Sequence, residues 1–168
     1  MEANESLDPS AWTGFVRLTH WLIAFAVLVN FFNDTGYWHR LIGYVCVLLV
    51  GLRVLYGLTS VVVSSQLHIP SYQKVKSHFL EMLSGQLQPN VGHNPLGQWA
   101  IYIMWTLILL LAITGWLSRT DAYWGEDWPV DLHMVLSNLL QAMVVLHLLA
   151  IIVMSKLQKQ NLMKKMIK

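Results

Sequence analysis

His133 and His147 stand 14 residues apart within a stretch, Leu132 to Ser155, that carries no charge. Ionisable side chains in so apolar a run are costly and need a partner or a task. At ~1.5 Å rise and ~100° per residue, the spacing separates the two imidazoles by ~21 Å and returns them to within ~40° of one helix face. One helix thus offers two rings to a common interior, one near each side of a bilayer. Two more histidines, His20 and His39, lie near opposite ends of the first hydrophobic hairpin. Heme iron takes two axial ligands on opposite porphyrin faces, and neutral imidazole supplies them well. Four histidines at two depths therefore predict two bis-histidine hemes stacked across a membrane, a conduit for electrons. Taken singly, each histidine could instead be a helix–helix hydrogen-bonding residue or part of a proton relay.

The elements that must position these rings are legible in the charge pattern. The chain has 168 residues, 55% hydrophobic and 12% charged, with a mean hydropathy of +0.49. About a quarter of residues would be charged in a soluble domain. Leu18 to Asn33 is uncharged, and the apolar run reaches back to Phe15. A second run extends from His39 to about Val63 around Arg53, a third from Gly97 to Ser118, and the fourth is Leu132 to Ser155. Each is long enough, or nearly so, to cross ~30 Å of hydrocarbon as a helix. The predicted fold is an all-α integral membrane four-helix bundle in one domain, with spans at about 15–33, 39–63, 97–118 and 131–155. Gly43, Gly51, Gly57 and Gly115 remove side chains where a macrocycle or a neighbouring helix could approach.

The short turn Asp34-Thr35-Gly36 makes the first two spans antiparallel neighbours. Residues 72–84 place Val75, Phe79, Met82 and Leu83 among Lys74, Lys76, His78 and Glu81, the pattern of an amphipathic helix lying on the membrane surface. His68 and His78 read there as solvated residues. Placing the N-terminus in the cytoplasm puts Arg17, Arg53, Lys74, Lys76 and all five tail lysines inside, leaving only Arg40 and Arg119 outside. The positive-inside rule therefore predicts both termini cytoplasmic. Asp34, Asp121, Glu126, Asp127 and Asp131 then face outward, with Trp38, Trp116, Trp124 and Trp128 as an interfacial belt.

That topology pairs His39 with His133 near the outer surface and His20 with His147 near the inner one. Arg17 and Arg53 stand where they could meet inner-heme propionates, and Arg40 could do so outside; anchoring the topology is the competing role for all three. Glu2, Glu5 and Asp8 stand where a signal peptide would be basic, so the first span is expected to be retained. Cys46 is the only cysteine and no C-x-x-C-H motif occurs, which excludes intrachain disulfides, a four-cysteine cluster and c-type heme. Heme held by this chain is b-type.

The segments Phe15-Val16-Arg17-Leu18-Thr19-His20-Trp21, His39-Arg40-Leu41-Ile42-Gly43-Tyr44 and Leu52-Arg53-Val54-Leu55-Tyr56-Gly57 resemble the bacterial cytochrome b561 and nickel–iron hydrogenase cytochrome b family. So do Gly92-His93-Asn94-Pro95-Leu96-Gly97 and the final span with its two histidines. The resemblance covers nearly the whole chain. It implies a four-helix di-heme cytochrome b of the bacterial cytoplasmic membrane, ligated through His20, His39, His133 and His147. It implies electron transfer between the respiratory quinone pool and a periplasmic redox protein, such as a c-type cytochrome or a dehydrogenase or hydrogenase subunit. By the related formate dehydrogenase membrane subunit, His93 and Asn94 become candidates for binding the quinone or relaying its proton; Asn94-Pro95 is equally a good helix start. The family usually carries a Gly-Pro-x-x-Ala-Arg-Phe run after span two, whereas Leu58-Thr59-Ser60 follows Tyr56-Gly57 here.

The sequence thus points to an electron-carrying membrane subunit rather than a stand-alone enzyme. Its expected partners are lipid, quinone and a periplasmic redox protein docking on the acidic 121–131 loop; no nucleic acid is expected, and self-association stays open. The alternative is a superoxide:quinone oxidoreductase acting at the outer heme, which needs a cationic funnel where the outer face carries five acidic against two basic residues. A scaffold or small transporter with a histidine relay is a third reading, without the broken helices or repeats that transporters show.

Overall fold

The computed structural model describes residues 12–60, 67–84 and 94–167. Five helices exceed one turn or two: α1 (Gly14–Phe31), α2 (Tyr37–Thr59), α3 (Tyr72–Ser84), α4 (Pro95–Leu117) and α5 (Trp128–Leu157). A single turn, α6 (Leu162–Lys165), follows, and a 3-10 turn (Asp121–Tyr123) lies between α4 and α5. Among the described residues there is no strand. Four of the helices, α1, α2, α4 and α5, are long and apolar enough to cross a membrane.

Local chemistry sets the helix ends. Thr13 caps α1 through Oγ1, which accepts from Val16 N–H and also from the Tyr56 hydroxyl at 3.2 Å, tying the start of α1 to the end of α2. Gly36 begins α2 at φ 98°, a left-handed conformation that glycine adopts without strain. Asn94 caps α4 with Pro95 at the first position, and Pro129 opens α5. The proline explains why α5 starts at Trp128, a few residues before the uncharged run begins.

Helix α1 packs on α2, α2 on α4, and α4 on α5, while α3 lies against α4. A cluster of Val27, Cys46, Val50, Leu107, Ile108, Leu136 and Leu140 fills the middle of the bundle. Leu140, 4% exposed, lies seven residues from His133 and seven from His147, so an apolar septum separates the two histidine levels. Outward-facing residues are as apolar as the interior: Phe25, Phe32 and Leu48 are 70%, 88% and 62% exposed. Such a surface suits lipid and not water.

Helix α3 corrects one reading. His78 is 4% exposed and its Nε2 has no hydrogen-bond partner, so it is buried and not solvated. It shares a face with Val75 and Met82, three residues before it and four after. Phe79, expected on that face, is 46% exposed, whereas His68 is exposed as read.

Candidate heme site

Two imidazole pairs cross the bundle interior. The His39 ring on α2 and the His133 ring on α5 have centres 6.0 Å apart and planes inclined by 65°. The His20 ring on α1 and the His147 ring on α5 have centres 6.4 Å apart and planes inclined by 52°. Two imidazoles binding one metal from opposite sides, each with a bond of about 2 Å and its ring centre about 1.1 Å further, have centres about 6.3 Å apart. Axial rings rotate freely about the metal–nitrogen axis, so both inclinations are admissible. Among the described residues no three of His, Cys, Asp and Glu converge on one point. Two imidazoles at that spacing, with no third protein ligand among the described residues, suit a macrocycle that would bring its own four nitrogens.

The His39–His133 pair is held in one tautomer. His39 Nδ1 lies 2.6 Å from the Asn33 carbonyl, which can only accept, so this nitrogen carries the proton. The Asn30 amide in turn donates to the His39 carbonyl at 3.0 Å, clasping the α1–α2 turn around the histidine. His133 Nδ1 lies 3.0 Å from Thr114 Oγ1. With the Thr114 hydrogen on a carbonyl of its own helix, Leu110 at 2.9 Å or Leu111 at 3.2 Å, His133 is the donor through Nδ1 as well. In both rings the lone pair left for a metal is on Nε2, the arrangement by which outer hydrogen bonds orient metal-ligating histidines.

Space and charge agree with a macrocycle. A β-carbon at position 115 would stand 3.3 Å from His133 Cε1, so Gly115 makes room for the ring itself. A cavity beside the His39–His133 pair is lined by Gly43, Gly115, Arg40 and Arg119 as well as the two histidines. Arg119 was legible in the sequence only as a surface charge, yet it shares this cavity with Arg40. Gly51 has open space around its α-carbon, whereas Gly57 is needed for another reason: a β-carbon there would run into the Leu67 side chain.

Near the His20–His147 pair, Arg53 is 5% exposed, lies within electrostatic range of His20, and has Nη1 buried without a partner. A guanidinium nitrogen left buried without a partner is costly, and a carboxylate reaching it would remove the cost. A heme propionate is such a group. Arg17 is half-buried on α1, one turn before His20.

The candidate quinone residues divide. His93 lies outside the described residues. Asn94 Oδ1 accepts from Gly97 N–H at 2.6 Å, so its oxygen caps α4 and only its amide N–H2 remains to offer. One turn on, Gln98 is fully buried; its amide donates to the Tyr102 hydroxyl at 3.0 Å, and that hydroxyl donates to the His68 carbonyl at 2.9 Å. Gln98 Oε1 is left buried without a donor. The signal was a lone amide in an uncharged span, four residues from both Asn94 and Tyr102.

Comparison with known proteins follows this geometry. The family model described as prokaryotic cytochrome b561 matches residues 11–168. No curated protein and no solved structure matches the chain.

Proposed function

Since the chain belongs to the prokaryotic cytochrome b561 family, b-type heme proteins of the bacterial inner membrane that transfer electrons, we propose that it carries electrons between membrane quinone and a periplasmic redox protein through two hemes. The observation behind this reading is the two imidazole pairs, with ring centres at 6.0 and 6.4 Å. His39 and His133 hold the outer heme, and His20 and His147 hold the inner one, ~21 Å along the helix axis. Both termini lie in the cytoplasm, by the distribution of lysine and arginine.

The bound hemes supply the one-electron redox couple, and the protein supplies ligation, orientation and dielectric. Thr114 and the Asn33 carbonyl hold the outer imidazoles in the metal-binding tautomer. Arg53 neutralises an inner propionate, while Arg40 and Arg119 do so outside. Leu140 and its neighbours keep water from the space between the two levels. Asn94 Nδ2, and His93 beside it, hydrogen-bond the quinone carbonyl at the start of α4. On the outer surface Asp121, Glu126, Asp127 and Asp131 are all exposed and steer a basic partner such as a c-type cytochrome.

Stopped-flow mixing of the purified protein with a soluble quinol tests the function. Both hemes should reduce, and a c-type cytochrome should then reoxidise them at a rate that falls with salt. Hemes that stay oxidised in excess quinol would end the quinone reading, and a salt-independent second phase would end the steering.

A second reading, reaction of a small anion such as superoxide at the outer heme, gains from one observation. Both outer arginines, Arg40 and Arg119, line the same cavity, although Asp34 lines it too. Heme reduction by a superoxide pulse would support it; an unchanged spectrum would remove it.

A further inference from the structure

The helices that carry the inner histidine pair pack chiefly on other helices, α1 on α2 and α5 on α4. What bridges them is the C-terminal segment. Beyond Leu157 the chain turns at Lys159, whose φ of 50° is left-handed and reverses its direction. Ser155 Oγ accepts from Leu162 N–H at 3.3 Å, and Asn161 Oδ1 accepts from Lys164 N–H at 2.9 Å. The Trp21 indole N–H then donates to the Met166 carbonyl at 3.0 Å. Trp21 adjoins His20 in sequence, and the two rings meet edge to face with centres 5.5 Å apart. The strap thus runs from the end of α5, which bears His147, to the residue beside His20.

Its composition says what it rests on. Lys156, Lys159 and Lys164 are exposed, and Met163 and Ile167, four residues apart, are 51% and 64% exposed. Exposed lysines interleaved with exposed apolar side chains fit the boundary between headgroups and acyl chains. The surface potential of an anionic leaflet attracts each such lysine.

We propose that residues 158–167 form a strap seated on anionic phospholipid headgroups, which fixes the spacing of α1 and α5 through Trp21 and makes that tryptophan a positioning residue for His20. Without the headgroups the lysines repel one another, the strap lifts, and the Trp21 N–H loses its acceptor. The effect on His20 rests on the assignment of the inner heme made above.

The test compares holoprotein in phosphatidylcholine nanodiscs with holoprotein in discs doped with phosphatidylglycerol. Two signals are read: amide hydrogen exchange across 159–167, and the low-spin EPR lines of the two hemes. Phosphatidylglycerol should slow exchange of the strap several-fold and shift the inner-heme lines, leaving the outer-heme lines in place. Lys156→Gln with Lys159→Gln and Lys164→Gln should abolish both responses. Trp21→Phe keeps an aromatic ring beside His20 and removes the donor, so the inner-heme response should vanish while exchange still responds to lipid. The proposal is overturned by strap exchange indifferent to phosphatidylglycerol, by an inner-heme response that survives Trp21→Phe, or by equal response of both hemes. Inorganic phosphate reproducing the effect would overturn it too. A protein lacking the inner heme would undo the function proposed above, while hydrogen exchange would still decide the lipid contact.

Discussion

Thr114 Oγ1 stands 3.0 Å from His133 Nδ1 and 2.9 Å from the Leu110 carbonyl, so a hydroxyl that donates to its own helix is the acceptor for the ring's Nδ1–H. A helix hydroxyl that is 3% exposed is thereby saturated, and the ring on α5 is fixed from α4. The relationship matters because α4 contributes no axial histidine in the proposed scheme. Its contribution is orientation, with Gly115 beside Thr114 clearing the space.

Thr114→Val preserves the shape of that side chain and removes the acceptor. Loss of an outer partner of a metal-bound histidine typically weakens affinity about 10- to 100-fold. The outer heme should therefore titrate more weakly into apoprotein, and the inner heme should be unchanged. Equal binding of both hemes in the variant would show that the hydrogen bond does not orient the ligand.

Arg53→Leu removes a buried guanidinium that has no protein partner for Nη1. If Arg53 neutralises a propionate, the variant should lose inner-heme occupancy, and Arg53→Lys should restore part of it as a point charge. A merely anchoring arginine would leave both occupancies at the wild-type level in heme quantitation.

Leu140→Ala acts on the septum midway between His133 and His147. Truncating a buried leucine costs about 2–5 kcal/mol where the cavity cannot collapse. The midpoint of denaturant-induced unfolding in mild detergent should fall, while both hemes stay bound in the folded fraction. An unchanged midpoint would mean that the bundle centre relaxes around the missing side chain.

Much of this arrangement was legible in the sequence, for a simple reason. Hydrocarbon admits few charged residues, so uncharged runs mark the spans, and lysine and arginine mark their ends. Helical counting brought His133 and His147 to one face because 14 residues close almost a whole number of turns. Other features depend on side-chain geometry that periodicity does not carry. Val75, His78 and Met82 fall on one face of α3, yet His78 was read with its charged neighbours; a slight rotation buries it and exposes Phe79. Gln98 gave only a polar letter in an apolar run, and its unpaired oxygen follows from where Tyr102 directs its own proton. Arg119 looked like a loop charge until the turn after α4 brought it to the cavity beside His39.

The most direct measurement is a reduced-minus-oxidised visible spectrum of the purified protein with pyridine hemochrome quantitation, repeated on the four His→Ala variants. The account predicts two low-spin b-type hemes per chain. His39→Ala and His133→Ala should lose the same heme, and His20→Ala and His147→Ala the other. One heme or none in the wild-type protein would contradict it, as would His20→Ala and His133→Ala losing the same spectral component.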